Sequence, residues 1–468
     1  MAFLSRVSDL LWSGPLLAAF LLVGGYYSIC TGFFQVFHLP LWWKTTIGSL
    51  FRRKKGSGRG ISQFQAMSAA LASVIGTGSI AGVATAIFYG GPGAVFWMWV
   101  TAVLGMMTGC AEKTLAVRYR EKDADGQWRG GPMEYMRRGL RLPKLAGLFA
   151  LLGTAEALAG SNLAQANSIA TTLSAAVGAD RRVVGIVLAV IVSIVLVGGI
   201  KRVGRFSELL VPLMALLFMG GGLAVIAVNW RAVPAAFGQI IAYAFAPKAV
   251  VGGYSMGMAL RYGVARGVFT SEAGLGMSAI VHACADVEEP AEQGMWGIVE
   301  VFISTIVICT VTALVILTSG VYVPEQAQTM IESGVIPETM LGAPLVSACF
   351  ESVMGGAGQW IVTVSLLLFA FTSLLGGGYC GRRGLETLTR SKWILAAYQL
   401  GLPAFIIVGA VADLTAVWKV VDLLTGLLAL PNLLALLLLS PEALWLLRRW
   451  EEKRKRDRAR PASQPTVE

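Results

Sequence analysis

Two short stretches of the sequence combine glycines with hydroxyl side chains inside otherwise apolar segments. The first, SVIGTGSIAG, spans residues 73–82, and the second, TSEAGLG, spans residues 270–276. Each glycine costs about 1 kcal/mol relative to alanine in a helix interior, so closely spaced glycines make local unwinding cheap. An unwound turn exposes N–H groups that suit a carboxylate and C=O groups that suit a cation. Both stretches are therefore candidate binding sites, and close helix packing through small residues is the alternative.

Acidic side chains occur within apolar segments, where an ionisable group is costly and is usually functional or paired. Glu272 lies inside the second glycine-rich stretch, and an ion pair with Arg261 or Arg266 is its structural alternative. We expect the remaining acids at this depth to make polar contacts between helices; they are Glu112, Glu156 and Glu300.

Amide and hydroxyl groups add further candidates in two other apolar segments. In the segment 146–176, Asn162, Gln165 and Ser168 share one helical face. Thr372 and Ser373 follow a long apolar run and could complete an oxygen cage around a sodium ion. Hydrogen bonding of these two hydroxyls to their own helix is the alternative.

The elements that carry these residues are membrane-spanning helices. The chain has 468 residues, 56% of them hydrophobic and 14% charged, and its mean hydropathy is +0.68. Segments of about 20 apolar residues can cross the hydrocarbon core, and they must be helical because lipid satisfies no backbone group. Eleven such segments are predicted, at 14–36, 63–88, 93–117, 146–176, 183–200, 207–228, 253–285, 294–319, 358–386, 393–412 and 416–440.

The net charge of +11 is a signal of membrane topology, and it does not indicate nucleic-acid binding. Most of the 38 Lys and Arg residues lie in alternate loops, such as Arg52–Lys55 and the loop 118–144, and in the C-terminal tail. We expect the protein to lie in the cell membrane. By the positive-inside rule these loops face the cytoplasm, with the N-terminus outside and the C-terminus inside. We expect the tail to form a solvated helical extension and the outer segment 321–345 to hold a short, lid-like helix.

The two interrupted stretches occupy matching positions in two sets of five segments, 63–228 and 253–440. Because five is odd, the second set enters the membrane from the opposite side, which predicts an inverted repeat with a central binding site. The predicted fold is an all-α membrane protein of eleven transmembrane helices. Its parts are an N-terminal helix and basic loop (1–60), two five-helix repeats (61–230 and 231–445) and a basic tail (446–468).

At these residues the sequence resembles the alanine or glycine:cation symporters of the amino acid–polyamine–organocation group. The motifs are GTGSIAGVATAIFYGGPGAVFWMWVTAVLGM (76–106), GGPMEYM (130–136), QANSIA (165–170), RYGVARGVFTSEAGLG (261–276) and CTVTALVILTSG (309–320). The resemblance implies the five-plus-five fold of the bacterial leucine transporter and sodium- or proton-driven symport of a small neutral amino acid such as alanine or glycine. It also implies a set of substrate contacts: Gly76, Thr77, Gly78, Gln165, Asn167, Thr270, Ser271, Glu272 and Ala273. The implied sodium site joins the carbonyls of Ala72 and Ile75 to Thr372 and Ser373.

The sequence departs from the usual family motifs at several of these positions. Ser79 and Ser271 stand where the family has asparagine, and Ser304 replaces an aspartate. Met277 replaces a serine, and Gly377 replaces a tryptophan. Loss of the indole predicts a larger pocket and a larger or different substrate, and refilling of the space by Met277 or a neighbour is the alternative.

Other classes of function remain open or are disfavoured. The sequence has no nucleophile–base pair or phosphate loop, and its six cysteines and two histidines have no metal-site spacing, so neither an enzyme nor a resident cofactor is expected. A channel would need a continuous polar pore. A non-transporting sensor, or degenerate homologue, is favoured by the lost asparagines and aspartate. The oligomeric state is not predicted.

Overall fold

Helices make up nearly all of the computed structural model. The structure describes residues 10–12, 14–50, 60–123, 126–196, 199–246 and 255–459. The basic cluster Arg52–Lys55 and the final residues 460–468, which carried part of the topology argument, lie outside the described residues.

The helices alternate between long apolar rods and short connecting pieces. In chain order the α-helices are Pro15–Cys30 (α1), Phe34–Phe37 (α2), Leu39–Thr45 (α3), Gln63–Val74 (α4), Ala81–Gly90 (α5), Ala94–Arg118 (α6), Pro132–Glu134 (α7), Pro143–Ala155 (α8), Asn162–Val177 (α9), Arg181–Leu196 (α10), Gly199–Val228 (α11), Val233–Ala244 (α12), Met256–Ser271 (α13), Met277–His282 (α14), Pro290–Val301 (α15), Cys309–Thr318 (α16), Pro324–Ser333 (α17), Ala343–Met354 (α18), Gly356–Leu388 (α19), Lys392–Val411 (α20), Leu414–Leu438 (α21) and Ser440–Ala459 (α22). Wider π-helical turns occur at Tyr135–Gly139, Glu156–Ser161 and Phe302–Ile308, and 3₁₀ turns at Ile47–Ser49, Thr77–Ser79, Trp230–Ala232 and Glu338–Met340. Two short strands, Glu121–Lys122 (β1) and Trp128–Arg129 (β2), pair antiparallel.

Every predicted apolar segment overlaps with helix in the structure. Within the described part of the chain, six helical stretches are long and apolar enough by themselves to cross a membrane: Ala94–Arg118, Arg202–Val228, Pro290–Thr318, Gly356–Leu388, Lys392–Val411 and Leu414–Leu438. Apolar side chains such as Leu216 and Leu400 point outward from these stretches, 73% and 78% exposed. An outward apolar surface of this kind fits contact with lipid.

Both interrupted helices break where the glycine-rich stretches predicted. The helix α4 begins with a capping box, in which the Ser62 hydroxyl accepts from the Gln65 N–H at 3.0 Å and the Gln65 side chain accepts from the Ser62 N–H at 3.1 Å. It ends at Val74, and helix resumes at Ala81 after a 3₁₀ turn. The helix α13 ends at Ser271, and α14 begins only at Met277.

Glycines let the long helices approach one another closely around these breaks. A Cβ at Gly263 of α13 would lie 2.4 Å from the Ala94 carbonyl oxygen of α6. On another face of α6, a Cβ at Gly297 of α15 would lie 2.6 Å from the Gly109 carbonyl oxygen. Since both neighbours are backbone atoms, neither side chain could be accommodated without moving a helix.

The start of the first broken helix and the end of the second meet at one end of the bundle. We call this region the loop end and define it by residues 60–62, 118–131 and 283–289. Ile61 and Ala285 form a parallel bridge, in which the Ile61 N–H donates to the Cys284 carbonyl at 3.2 Å. The Arg120 guanidinium donates to the carbonyls of Ala283, Ala285 and Val287 at 3.0, 2.5 and 2.5 Å. The loop end is therefore closed in this structure.

The peripheral predictions are confirmed in part. A short helix, α17, lies in the predicted outer segment, and just before it the Tyr322 hydroxyl donates to the Ile87 carbonyl of α5 at 3.0 Å. The tail is helical to Ala459, but its description as solvated was wrong for one face. Leu447 and Trp450 of the tail are buried, and their spacing places them on the same side of α22 as the buried Ala443, which precedes the tail. The helices α12 and α18 were not predicted.

Candidate functional site

The first break is held open by side chains from two other helices. The Gln165 side-chain oxygen, from α9, accepts from the Thr77 N–H at 3.1 Å. The Ser373 hydroxyl, from α19, lies 2.8 Å from the Ala72 carbonyl and 3.1 Å from the Ser73 carbonyl. These contacts satisfy backbone groups that unwinding removes from the helix ladder, as the membrane interior requires.

The far side of the first break is held by Thr312. Its hydroxyl donates to the Ser79 carbonyl at 2.9 Å, from the helix α16. Gly78 faces the second broken helix, since a Cβ there would lie 3.1 Å from the Thr270 hydroxyl oxygen and 3.0 Å from the Phe269 ring. The two interrupted helices therefore touch at their breaks.

The second break depends on backbone conformations that favour glycine. Glu272 has φ of +51°, and Gly274 and Gly276 follow with φ of +95° and +79°. The Gly274 N–H donates to Glu112 at 3.0 Å, and the Asn432 amide donates to the Gly274 carbonyl at 2.9 Å. A left-handed conformation is uncommon for a non-glycine residue, so Glu272 is held there by its surroundings.

A small cavity lies between the two breaks. Its lining consists of Ser73, Val74, Gly76, Gly78, Glu156, Ser161, Gln165, Phe269, Glu272, Leu275 and Met277. The volume open to the centre of a water molecule is about 10 Å³. That is room for about one water, so an amino acid could enter only if side chains or helices move.

The structure brings most of the predicted substrate residues to this region. Gly76, Gly78, Gln165 and Glu272 line the cavity itself. The remaining predicted residues of the two breaks are buried next to the lining residues in sequence: Thr77, Ser79, Thr270, Ser271 and Ala273. The Thr77 hydroxyl is buried and makes no hydrogen bond among the described residues.

Asn167 is the predicted substrate residue that the structure places elsewhere. Its amide donates to the carbonyls of Gly409 and Ala412 at 2.9 and 2.7 Å, toward the helix α20. The reason is helical geometry, because residues two apart, such as Gln165 and Asn167, differ by about 200° around the axis. Asn162 shares the face of Gln165 instead, and its amide is fully buried without a hydrogen-bond partner in the described part of the chain.

The structure brings three of the four predicted sodium ligands together and turns the fourth away. Ala72 and Ser373 are in direct contact, and Ile75 is buried at the end of the same helix. Thr372 turns away from them, since its hydroxyl donates to the Leu368 and Phe369 carbonyls at 3.0 and 2.9 Å. Bonding to its own helix, the alternative interpretation for both hydroxyls, thus applies to Thr372, while Ser373 reaches across to α4.

The structure also decides among the expectations for the acids. The structural alternative for Glu272, an ion pair with Arg266, is not formed, because Arg266 pairs with both carboxylate oxygens of Asp422, at 2.8 and 3.0 Å. Glu272 Oε1 accepts from the Ser73 hydroxyl at 3.3 Å, and Oε2 is buried without a hydrogen-bond partner in the described residues. Glu156 was expected to contact another helix, but it lines the cavity.

Glu112 and Glu300 do form contacts between helices, and they do so through a lysine that the sequence analysis missed. Lys113 Nζ lies 3.6 Å from Glu112 and 3.5 Å from Glu300, and all three side chains are fully buried. Glu300 also lies 2.8 Å from His282 Nε2. A charged residue inside a predicted span was the available signal for Lys113.

Residues 1–464 match the model of the sodium:alanine symporter family. The chain belongs to this family. The membership expected from the sequence motifs is thus confirmed, and the family's members are membrane transporters, not enzymes.

Curated members of the sodium:alanine symporter family align with nearly the whole chain. The sodium/alanine symporter AgcS of Methanococcus maripaludis is 38% identical over 444 residues, which cover 94% of this chain and 95% of that protein. The probable sodium/glutamine symporter GlnT of Bacillus subtilis is 35% identical over 448 residues, covering 96% and 90%.

Solved structures share the fold of this family member at much lower identity. The crystal structure of MhsT in complex with L-phenylalanine is 13% identical, with a TM-score of 0.54, and covers 84% of this chain and 99% of that one. A manganese transporter of Eremococcus coleocola is 14% identical, with a TM-score of 0.53, covering 82% and 78%. The chain is thus an all-helical, multi-pass membrane protein with a transporter fold.

Proposed function

We propose that this protein is a secondary active transporter that couples a cation, sodium or a proton, to the uptake of an amino acid. The contact of two interrupted helices around one polar cavity carries the proposal. Half-helix ends present both N–H and C=O groups there, which is what a zwitterion requires. The curated relatives with sodium/alanine and sodium/glutamine in their names support both the cation and the amino acid.

The substrate site consists of the two breaks together with Gln165. In this proposal the backbone at Gly76, Thr77 and Gly78 receives the substrate carboxylate, and the stretch Thr270–Ala273 receives the ammonium group. Gln165 orients the first break through its bond to the Thr77 N–H. Asn167 is not part of this substrate site, and its proposed role is to hold α9 against α20.

The cation site joins the first broken helix to α19. The carbonyls of Ala72 and Ile75 and the hydroxyls of Thr372 and Ser373 are its proposed ligands. Ser373 already lies 2.8 Å from the Ala72 carbonyl, so turning its hydroxyl proton aside would let both oxygens face a cation. The Thr372 hydroxyl must first give up its bonds to its own helix.

The fuller architecture is also a proposal. It has eleven transmembrane helices, one N-terminal helix followed by a five-plus-five inverted repeat, with the N-terminus outside and the loop end in the cytoplasm. The helices matching the predicted segments, and the closed loop end, support this arrangement. Transport would then require the loop end to open, and cation and amino acid would each raise the affinity for the other by the same factor.

Uptake by purified protein in proteoliposomes tests the function. An inward sodium or proton gradient should drive accumulation of an amino acid, and the same amino acid should stabilise the protein against heat only with the coupling cation present. Saturable, gradient-dependent uptake excludes a channel. Stabilisation without any flux in either direction would contradict transport and support a sensor.

A further inference from the structure

The C-terminal helix α22 lies against the loop end over most of its length. In its first turn, Glu442 accepts from the Arg118 guanidinium at 3.1 Å. About three turns later, Lys453 donates to Glu289. Arg118 and Glu289 belong to different segments of the loop end, so α22 is fastened to both. The helix therefore runs along the end of the bundle and does not project away from it.

The first turns of α22 lie where a membrane surface meets water. The preceding span, α21, ends at Leu438, whose side chain is exposed. Trp445 of α22 is exposed as well, and so is Trp43 of α3. The helix α3 lies beside α22, because the Thr45 hydroxyl accepts from Arg454. Exposed tryptophans concentrate at membrane–water interfaces, so α22 starts at the level of the lipid headgroups.

The side of α22 that turns away from the bundle carries exposed cations, and we call it the basic face. The residues that define it are Arg448, Arg449, Lys455 and Arg456. At about 100° per residue, their side chains fall within an arc of about 120°, opposite to the buried side of the helix. The exposed Glu452 lies near the middle of this arc. Four cations and one acid give the basic face a net charge of +3.

The cations of the basic face are available to a ligand. Arg449, Lys455 and Arg456 form no ion pair within the residues that the structure describes. Arg448 donates to a backbone carbonyl, that of Cys30, at 3.4 Å. A guanidinium group matches the geometry of a phosphate. An anionic membrane surface raises the affinity about fivefold for each nearby Lys or Arg, but only within a Debye length.

We propose that the basic face of α22 binds the phosphate groups of anionic phospholipids in the adjoining membrane leaflet. Trp445 enters the boundary between headgroups and acyl chains, and Arg449, 5.2 Å from the centre of its ring, reaches the phosphates. An acidic peptide would match the charges alone. Lipid is favoured because Trp445 and the end of α21 place the basic face at the membrane. This surface is separate from the amino-acid and cation sites and does not depend on the transported substrate.

Equilibrium binding of phosphatidylglycerol and phosphatidylcholine tests the proposal, because the two lipids differ in headgroup charge. Both carry the same fluorescent acyl chain, and energy transfer from tryptophan reports their binding to the full-length protein in neutral detergent. With a net charge of +3 on the basic face, the anionic lipid should bind about a hundredfold more tightly, and high salt should reduce this preference. The combined substitution Arg449→Gln, Lys455→Gln and Arg456→Gln leaves one cation and one acid, so both lipids should bind about equally.

Two further variants separate a lipid site from a general effect of charge. Glu452→Gln removes the acid of the basic face and should raise the preference for the anionic lipid about fivefold. The control combines Arg182→Gln, Arg231→Gln and Lys419→Gln, which remove three exposed cations outside α22. It includes a similar pair of side chains, since Arg231 lies 5.6 Å from the ring centre of Trp230. The control should keep the wild-type preference.

Several results would overturn the proposal. Equal binding of the two lipids by the wild type would do so, and so would an equal loss of preference in the two triple variants. Displacement of the lipid by glycerol phosphate or by an acidic peptide at the same concentration would show that the basic face takes a free anion or a protein partner. If the triple variant of α22 does not fold, Glu452→Gln decides, because a loss of structure cannot strengthen the preference.

Discussion

Replacing Arg120 by alanine should open the loop end of the bundle. The Arg120 guanidinium bonds to the carbonyls of three alternate residues in the segment after α14, and it lies 4.1 Å from the ring centre of Trp128. Next to these bonds, the paired segments at Ile61 and Ala285 are joined by the Ile61 N–H to the Cys284 carbonyl and by the Asp286 N–H to the Ile61 carbonyl, at 3.2 and 2.8 Å. Loss of the guanidinium therefore removes the bonds that hold the segment after α14 to the end of α6, and this frees one side of the loop end.

The size of the effect follows from the number and exposure of these bonds. A hydrogen bond from a charged donor contributes about 1.5–3 kcal/mol, so three of them set an upper limit of about 5–9 kcal/mol. Arg120 is partly exposed, and water can replace its partners when it is absent. We expect a net loss of about 2 kcal/mol, which is roughly a thirtyfold shift toward the open state.

Cys284 provides a native reporter of this opening. Its side chain is 5% exposed, and its sulfur lies 3.4 Å from both the Trp128 carbonyl and the Tyr379 hydroxyl. The rate of maleimide labelling, followed peptide by peptide with mass spectrometry in detergent solution, should rise about thirtyfold in Arg120→Ala because it tracks the open population. Arg120→Lys, which keeps the charge but loses the planar fork, should give an intermediate rate.

Cys349 serves as the internal control in the same experiment. It is fully buried in α18, far along the chain from the loop end. If Cys284 labels at the wild-type rate in Arg120→Ala, the guanidinium does not hold the loop end closed. If Cys349 accelerates to the same extent, the variant has lost its fold as a whole, and local opening is refuted.

Three further substitutions test the cation site, the helix packing and the buried charges. Ser373→Ala removes one proposed oxygen ligand and should raise the sodium concentration needed for half-maximal uptake about tenfold. Ser365→Ala is the control, because Ser365 is buried on the same helix without a hydrogen-bond partner in the described residues, and it should leave that concentration unchanged. Equal effects of the two substitutions would contradict the assignment. Gly263→Ala should lower the free energy of unfolding by about 2–3 kcal/mol, because the new Cβ overlaps a backbone oxygen. Gly220→Ala is the control: a Cβ at Gly220 meets open space, so this variant should be neutral or slightly stabilised in thermal unfolding. Lys113→Met should lower the free energy of unfolding by about 3–5 kcal/mol, because it removes the lysine that pairs with the buried carboxylates of Glu112 and Glu300. Neutralising one of these two carboxylates as well should partly restore the stability measured by thermal unfolding. A stable single variant would refute the pairing.

Chain-local properties determined the helices, their breaks and the family of this protein. The apolar segments predicted helices because hydropathy adds up along the chain and lipid leaves the backbone no other solution. The glycine-rich stretches predicted the interruptions at Gly76 and Gly274 because the conformational preference of glycine is a property of the residue itself. Helical spacing alone already separated Asn167 from Gln165, and the family-based assignment overrode that local geometry.

The tertiary structure decided which polar groups meet. An α-helix would turn Glu156 and Ser161 about 140° apart, but the π-helical turn between them brings both to the cavity. Arg266 pairs with Asp422, more than 150 residues along the chain. Glu272 therefore faces the cavity without Arg266 as its partner. Such partners depend on how each helix is rotated against its neighbours, and that rotation is set by packing among distant segments, which no local pattern records.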